Sequence, residues 1–295
     1  MANLKEIRRH IASVKSMQQI TRSMKMVSAS KLRKAQDAII QMRPYDEKLY
    51  EILMHVANNI DITAVNQYAV HKDTKRVLLV AVTSNRGLCG SFNSNVVKKI
   101  IDLAEQEFGD LYQRRAVDIL AIGKKGIDLL TAKEMPVVFS VTDIYDNFNF
   151  KNVSNLANMI MDDYVSGKYD KVILVFNQFR NAVVQDLIVE QFLPIKIEER
   201  KEHSFNGSKR IYFFEPSMQG VVDTVIPKSL KIHFYRMMLD SIASEHGARM
   251  TAMHKATDNA TELAKELNLH YNKARQSSIT NEILEIVSGA EALKG

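Results

Sequence analysis

Tryptophan is missing from this chain of 295 residues, cysteine occurs once, and glycine (11) and proline (5) are scarce. One thiol, Cys89, excludes an intrachain disulfide and fits a reducing compartment. Few glycines and prolines leave long stretches with nothing to interrupt a helix. No apolar run approaches the ~20 residues a membrane span needs. Acidic residues are nearly absent from the start of the chain. Residues 1–43 carry ten Lys/Arg against only Glu6 and Asp37, although the whole chain is just +6. Such an arm expects an acidic partner: nucleic acid, an anionic membrane or an acidic protein surface. A basic, Arg-bearing N-terminus could also be a transit peptide. This one has no cleavage-like break and keeps its pattern past residue 40.

What is present falls into three blocks: residues 1–60, 75–227 and 228–295. In the first, Leu4, Ile7, Ile11, Val14, Met17, Ile20, Met24 and Val27 recur in steps of three and four, and Leu32, Ala35, Ile39 and Met42 continue them. The spacing predicts one long helix with an apolar stripe, kinked at Pro44. The last block keeps the same alternation through Ile232, Tyr235, Leu239, Ile242, His246, Arg249, Met253, Ala256, Ala260, Leu263 and Leu267. Pro227 suits its start and Gly289 its end. Two long helices with one stripe each are expected to pair as an antiparallel coiled coil. Gln18, Thr21, His246, Arg249, Ala256 and Ala260 make the seam thin, which suggests enclosure by another protein.

The middle block alternates strand and helix. "RVLLVAV", "VDILAIG" and "PVVFSV" read as strands, with helices over Asn93–Phe108, "KKGIDLLTAK" and Asn152–Val165 between and after them. "KVILVFNQF" and "AVVQDLIVEQFLPI" form a hairpin turned at "RNA", and "IYFFEP" is a short further strand. The fold class is therefore α/β: a Rossmann-like domain with a mostly parallel sheet, plus the terminal coiled coil.

The turn "TSNRGLCGSFNSNV", between strand and helix, sits where nucleotide-binding proteins cradle phosphate. It has neither G-x-G-x-x-G nor the Gly-Lys-Ser/Thr ending of a P-loop, so its glycines serve the turn. Cys89 has no base near it in sequence and reads as a small buried residue. The histidines are scattered without metal-ligand spacing, so no metal site and no catalytic constellation emerges. The segment "LHYNKARQSSITNEILEIVSGA" is unusual for a helix. Asn272, Lys273, Arg275, Gln276, Ser277, Ser278, Thr280 and Asn281 crowd it with hydrogen-bonding side chains that lower helix propensity. That density points to polar contacts with a partner, and Arg275 with Gln276 suits a carboxylate. On these grounds alone, a basic coiled-coil arm that binds nucleic acid is the alternative, although no aromatic platforms accompany the charge. An enzyme using the opening loop for ATP or NAD is a second.

Three stretches carry a resemblance: "LKEIRRHIASVKSMQQITRSMKMVSASKLRKAQ", "NRGLCGSFN", and "EHGARMTAMHKATDNA" with "YNKARQSSITNEILEIVSGAEAL". Together they resemble the gamma subunit of the F-type ATP synthase over essentially the whole chain. The resemblance implies a rotor. Its terminal helices insert as a coiled coil into a hexamer of alternating alpha and beta subunits, and its α/β domain sits beside epsilon and the membrane rotor ring. Turning couples proton flow to ATP synthesis or hydrolysis. The catalytic residues belong to beta, so the chain itself needs no active site, cofactor or small-molecule substrate, and binds no nucleic acid. By motif, Arg275 and Gln276 correspond to residues that hydrogen-bond a carboxylate-bearing loop of beta, with Thr280 and Glu285 as companions. Met24 and Lys25 correspond to shaft positions facing the acidic lever of beta. Tyr212, in "KRIYFFEPS", is a candidate contact with the ring or epsilon. Ser91 stands where a second glycine is expected, and no inserted cysteine pair provides a plant-type dithiol switch. The resemblance and the immediate start imply a bacterial protein, peripheral at the cytoplasmic face of the plasma membrane.

Overall fold

The computed structural model describes residues 4–57, 67–69, 73–195 and 218–292. Two compact units make up the chain: Met1–Ala29 with Arg249–Gly295, and Ser30–Ala248. Two long helices, α1 (Leu4–Ala57) and α6 (Met218–Ala292), contribute to both.

The larger unit is built on a sheet of five strands. These are β1 (Val77–Val82), β2 (Val117–Ile122), β3 (Val137–Val141), β4 (Lys171–Phe179) and β5 (Gln185–Leu193), in the spatial order β3-β2-β1-β4-β5. The first four are parallel and β5 returns antiparallel to β4. Strands β1 and β2 are buried at every position, as continuous apolar runs must be when helices cover both faces. Successive side chains of β1 point to opposite faces. Val77, Leu79 and Ala81 join the core that includes Val96 and Ile100 of α2 (Phe92–Asp102) and Leu130 of α4 (Lys124–Thr131). Leu78, Val80 and Val82 join the other core, with Val153, Ile160 and Tyr164 of α5 (Phe150–Val165) and Phe234, Met237 and Met238 of α6. Each large apolar side chain taken out of water contributes about 1.5–3 kcal/mol.

Local chemistry sets the element ends. Asn149 caps α5 by accepting from the Asn152 amide at 2.9 Å. The predicted helix Asn93–Phe108 is α2 up to Asp102. It then widens into a π-turn over Leu103–Glu107 before the short α3 (Gly109–Gln113). Helix α6 starts nine residues before Pro227, with that proline and Gly289 inside it, rather than starting and ending on them. Burial of Ile226 and Leu230 outweighs the breaker at Pro227, while the helix runs through Gly289 among exposed residues; Pro44 likewise lies inside α1. Three contacts fasten the helices within this unit. Tyr235 of α6 stacks on Phe148 and meets Phe150 edge-on. His233 lies 3.1 Å from Glu190 of β5. Arg236 pairs with Asp46 of α1. The segment "IYFFEP" lies outside the described residues.

In the smaller unit the two helices run antiparallel: Gln18 meets Thr261 and Thr21 meets Thr257. Their inward row on α1 is Ile7, Ile11, Val14, Gln18, Thr21, Lys25 and Ser28, and on α6 it is Met253, Thr257, Ala260, Ala264 and Leu267. Gln18 and Thr21 lie in the seam as expected, but the apolar stripe needs correcting beyond Val14. Met17, Ile20 and Val27 are 55%, 53% and 56% exposed, whereas Thr21 and Ser28 are 5% and 3% exposed. On α6, Leu263 faces outward and Ala264 inward. Between Met17 and Ser28, α1 thus turns polar or small residues inward and Met17, Ile20 and Val27 outward, whereas α6 keeps the large Met253 and Leu267 inward.

Candidate functional site

At the end of β1 the backbone enters the loop that a nucleotide would need. It is closed upon itself. The buried Thr83 hydroxyl donates to the Ile122 carbonyl at 2.8 Å and accepts from the Gly126 amide at 2.9 Å. The Ser84 amide donates to the Asn93 side chain at 2.9 Å, and the Ser84 hydroxyl donates to the Arg86 carbonyl at 2.8 Å. Asn85 bridges the next two loops, accepting from the Lys124 amide at 3.0 Å and donating to the Thr142 carbonyl at 2.7 Å. The Tyr145 hydroxyl donates to the Thr83 carbonyl at 2.6 Å. Burial and the neighbouring Glu245 hold that phenol well above its ordinary pKa, so it stays a donor. Between β1 and β4, where the strand order reverses and ligands usually bind, buried Asn177 donates to the Phe92 carbonyl at 3.4 Å. Cys89 is buried with the Asn93 amide nitrogen 3.2 Å from its sulfur. Thr83, Ser84, Asn85 and Asn93 thus tie the start of the loop to the neighbouring turns.

The terminal helices are the opposite case. Arg275, Gln276, Thr280 and Glu285 are all exposed on α6. The Thr280 hydroxyl donates back to the Gln276 carbonyl at 2.9 Å, and Ser278 bonds Glu282 one turn on at 3.2 Å. Helical geometry turns about 100° per residue. Gln276 and Thr280 therefore share one face, Arg275 lies a quarter-turn round, and Glu285 is opposite Gln276. Met24 and Lys25 are half-buried on α1. The pairing of Gln18 with Thr261 sets Leu4 opposite Arg275 when both helices are followed outward. Met24 thus lies ~30 Å along the helix pair from Arg275, at 1.5 Å per residue. The predicted residues fall in two separate places on the helix pair, and Tyr212 lies outside the described residues.

Sequence reasoning passed over a third feature. Beyond Arg275, α6 has no described α1 residue beside it, and Ile279, Ile283, Leu284, Ile286 and Val287 are all exposed. Ile279, Ile283, Ile286 and Val287 stand at i, i+4, i+7 and i+8 and so share one face of the helix, with Leu284 at its edge. The signal was present in "ITNEILEIV", where apolar residues come too densely for a solvated helix end. Around the other helix, Lys5, Arg8, Arg9, Lys15, Arg22, Lys31, Arg33 and Lys34 are exposed. Among the described residues no three His, Cys, Asp or Glu are grouped to hold a metal. None of their helices is long and apolar enough to cross a membrane.

Comparison with known proteins gives full-length matches. A family model described as ATP synthase matches residues 3–293. The ATP synthase gamma chains of Flavobacterium psychrophilum and Flavobacterium johnsoniae are 53% and 54% identical over 295 residues, covering all of both chains in each case. Among solved structures, the central stalk with c-ring of the Tetrahymena thermophila mitochondrial ATP synthase includes a chain with a TM-score of 0.59 and 26% identity. The match covers 80% of this chain and 99% of that one. A chain of the Euglena gracilis mitochondrial enzyme shares the fold, with a TM-score of 0.68 and 20% identity over 98% and 94% of the two chains.

Proposed function

We propose, from the premise that this chain belongs to the ATP synthase gamma chain family, that it is the turning element of the central stalk while other subunits carry the catalytic sites. It transmits rotation between a proton-driven membrane ring and a hexamer of alpha and beta subunits. Proton flow is thereby coupled to ATP synthesis, or hydrolysis to pumping. The chain is peripheral at the cytoplasmic face of a bacterial plasma membrane, and epsilon and the ring are its other neighbours, with Tyr212 as a contact.

One observation carries this reading: an antiparallel helix pair in which α1 exposes Met17, Ile20 and Val27 and α6 exposes a further apolar end. A shaft that turns in a bearing cannot interlock with it. Apolar rows give close contact without directional bonds, so one position costs little more than the next. Basic residues along α1 supply the opposite sign for acidic levers on beta. Arg275 and Gln276 hydrogen-bond a carboxylate of beta, and Met24 with Lys25 meets a second region of it. Because Glu285 lies across the helix from Gln276, one loop does not hold Arg275, Gln276, Thr280 and Glu285 together. Thr280 shares the Gln276 contact, and Glu285 engages a different subunit of the hexamer. Torque follows from the difference in these contacts between the states of beta. The closed β1 loop and the buried thiol support a chain without chemistry of its own.

The test is reconstitution of the chain with alpha, beta, epsilon and membrane sector in vesicles. R275A/Q276A removes hydrogen bonds to a charged group, each about 1.5–3 kcal/mol. We expect ATP synthesis to fall about tenfold or more, with unchanged melting of the isolated chain. Undiminished synthesis overturns the assignment of these two residues. Failure of the chain to assemble with alpha and beta overturns the rotor reading.

A further inference from the structure

Helix α1 offers two faces for the seam of the smaller unit. Leu4, Ile7, Ile11 and Val14 belong to both. Beyond Val14 the rows diverge by one residue, about 100° of helix. One row is Met17, Ile20, Met24 and Val27; the other is Gln18, Thr21, Lys25 and Ser28. Burial of apolar surface alone selects the first, since Met, Ile and Val remove far more apolar area from water than Gln, Thr and Ser. The opposing helix presents Ala256, Ala260 and Ala264, which leave room for large side chains. Yet the structure buries Thr21 and Ser28 and exposes Met17, Ile20 and Val27, with Gln18, Met24 and Lys25 half-buried between them.

Two polar pairs accompany that choice. The Gln18 amide donates to the Thr261 hydroxyl at 2.7 Å, and Thr261 passes its own proton to the Thr257 carbonyl at 2.7 Å. The hydroxyls of Thr21 and Thr257 lie 2.8 Å apart, so one donates to the other. Each also has a carbonyl of its own helix in reach, Gln18 for Thr21 at 3.1 Å and Met253 for Thr257 at 2.7 Å. The intrahelical bonds survive any rotation of α1, but the two bonds that cross between the helices exist only in this setting. Turning α1 by one residue would set Met17 and Ile20 against the Thr257 and Thr261 hydroxyls, and Gln18 and Thr21 would lose their cross-helix partners. Polar groups in a helix seam are a known means of fixing register at some cost in stability.

We propose that Gln18, Thr21, Thr257 and Thr261 form a rotational key that fixes which face of α1 turns inward, and so holds Met17, Ile20 and Val27 outward as a bearing surface. These four are positioning residues. The use of the outward row as a bearing rests on the rotor reading above; the choice of face does not.

Alternatively, the unbroken four-three spacing that Leu32 and Ala35 continue would set the face unaided, and the experiment separates the two. Single cysteines are introduced by I20C or S28C into the full-length chain. Their maleimide labelling is timed, with each site assigned by peptide mass so that buried Cys89 stays in place. In the native sequence, position 20 should label at least about tenfold faster than position 28, since a buried site reacts only through local opening. Q18A/T21A/T257A/T261A removes the key while raising helix propensity, so the helices still form. The rate ratio should then fall to about one or invert. T21S/T257S keeps both hydroxyls and should retain the native ratio. A native ratio in the four-alanine variant overturns the proposal, as does its loss in T21S/T257S. The isolated chain is the sample, so this outcome is independent of whether the reconstituted enzyme turns.

Discussion

Replacing Asp240 by asparagine should stabilise the protein at neutral pH and leave it unchanged in acid. Asp240 is buried on α6, one turn beyond Arg236. Loss of hydration raises its pKa from 3.8 to about 6, with Asp46 adding to the rise and the charges of Arg236 and His233 opposing it. Arg236 is already engaged by Asp46 of α1, so its charge is shared between two carboxylates. The folded state therefore binds the Asp240 proton more tightly than the unfolded chain does. Between about pH 4 and about pH 6 the unfolded chain has released that proton while the folded one retains it. Stability falls as pH rises through this window and is level above it. Each pKa unit is worth about 1.4 kcal/mol, so the full cost approaches about 3 kcal/mol. Asparagine keeps the shape and removes the charge but not the burial of a polar group, so D240N should gain about 1–3 kcal/mol above pH 7. Urea unfolding of D240N and the native chain, followed by circular dichroism at steps from pH 4 to pH 8, gives the difference. It should be near zero at the acid end and grow to a plateau by about pH 7. A difference that does not vary with pH, or that grows towards acid, refutes the assignment of the proton to Asp240.

Two further outcomes follow from the packing. A methyl group at Gly126 would stand 2.4 Å from the Thr83 hydroxyl oxygen, which is pinned by its bond to Ile122. G126A should cost about 1–3 kcal/mol after the gain in helix propensity is set against overpacking. T83A in the same chain should relieve part of it, so a strictly additive double mutant would count against the steric explanation. Ile11 is buried in the smaller unit and Ile20 is not. I11A should therefore cost about 2–3 kcal/mol of stability and I20A under about 0.5. In the reconstituted enzyme I20A, not the melting curve, should carry the defect; equal destabilisation by the two would place Ile20 in the seam.

Most of the sheet was legible because its signals are local. A run such as "VLLVAV" can be buried on both faces only in a covered sheet, and the alternation with helices dictates parallel strands. The π-turn after Asp102 was not legible, since nothing in "LAEQEF" departs from an ordinary helical pattern. Nor were the start of α6 before Pro227 and its course through Gly289. At Pro227 the lost propensity is exceeded by burial of Ile226 and Leu230; a single glycine costs only about 1 kcal/mol, too little to mark an end by itself. The seam was legible in part, for Gln18 and Thr21 lie in it as expected. The expected apolar stripe through Met17, Ile20 and Val27 failed for a different reason. From Val14 onward the sequence holds two rows one residue apart, and a rule that follows hydrophobicity must take the larger residues. The structure takes the smaller and polar ones, because hydrogen bonds across the helices are worth something only when both partners are in place. Arg275 and Gln276 were singled out by side-chain type, and both lie exposed. The apolar residues after them went unremarked because attention fell on the polar ones between.

The exposed apolar end of α6 also bears on how such a chain is made. Ile279, Ile283, Leu284, Ile286 and Val287 lie in water until another protein covers them. A helix end of this kind is a ready nucleus for clumping and an easy handle for proteases and chaperones. Supply of the chain must then keep step with supply of whatever encloses it, since any surplus meets its own kind first. Purified alone and concentrated, it should precipitate sooner than its net charge of +6 would suggest.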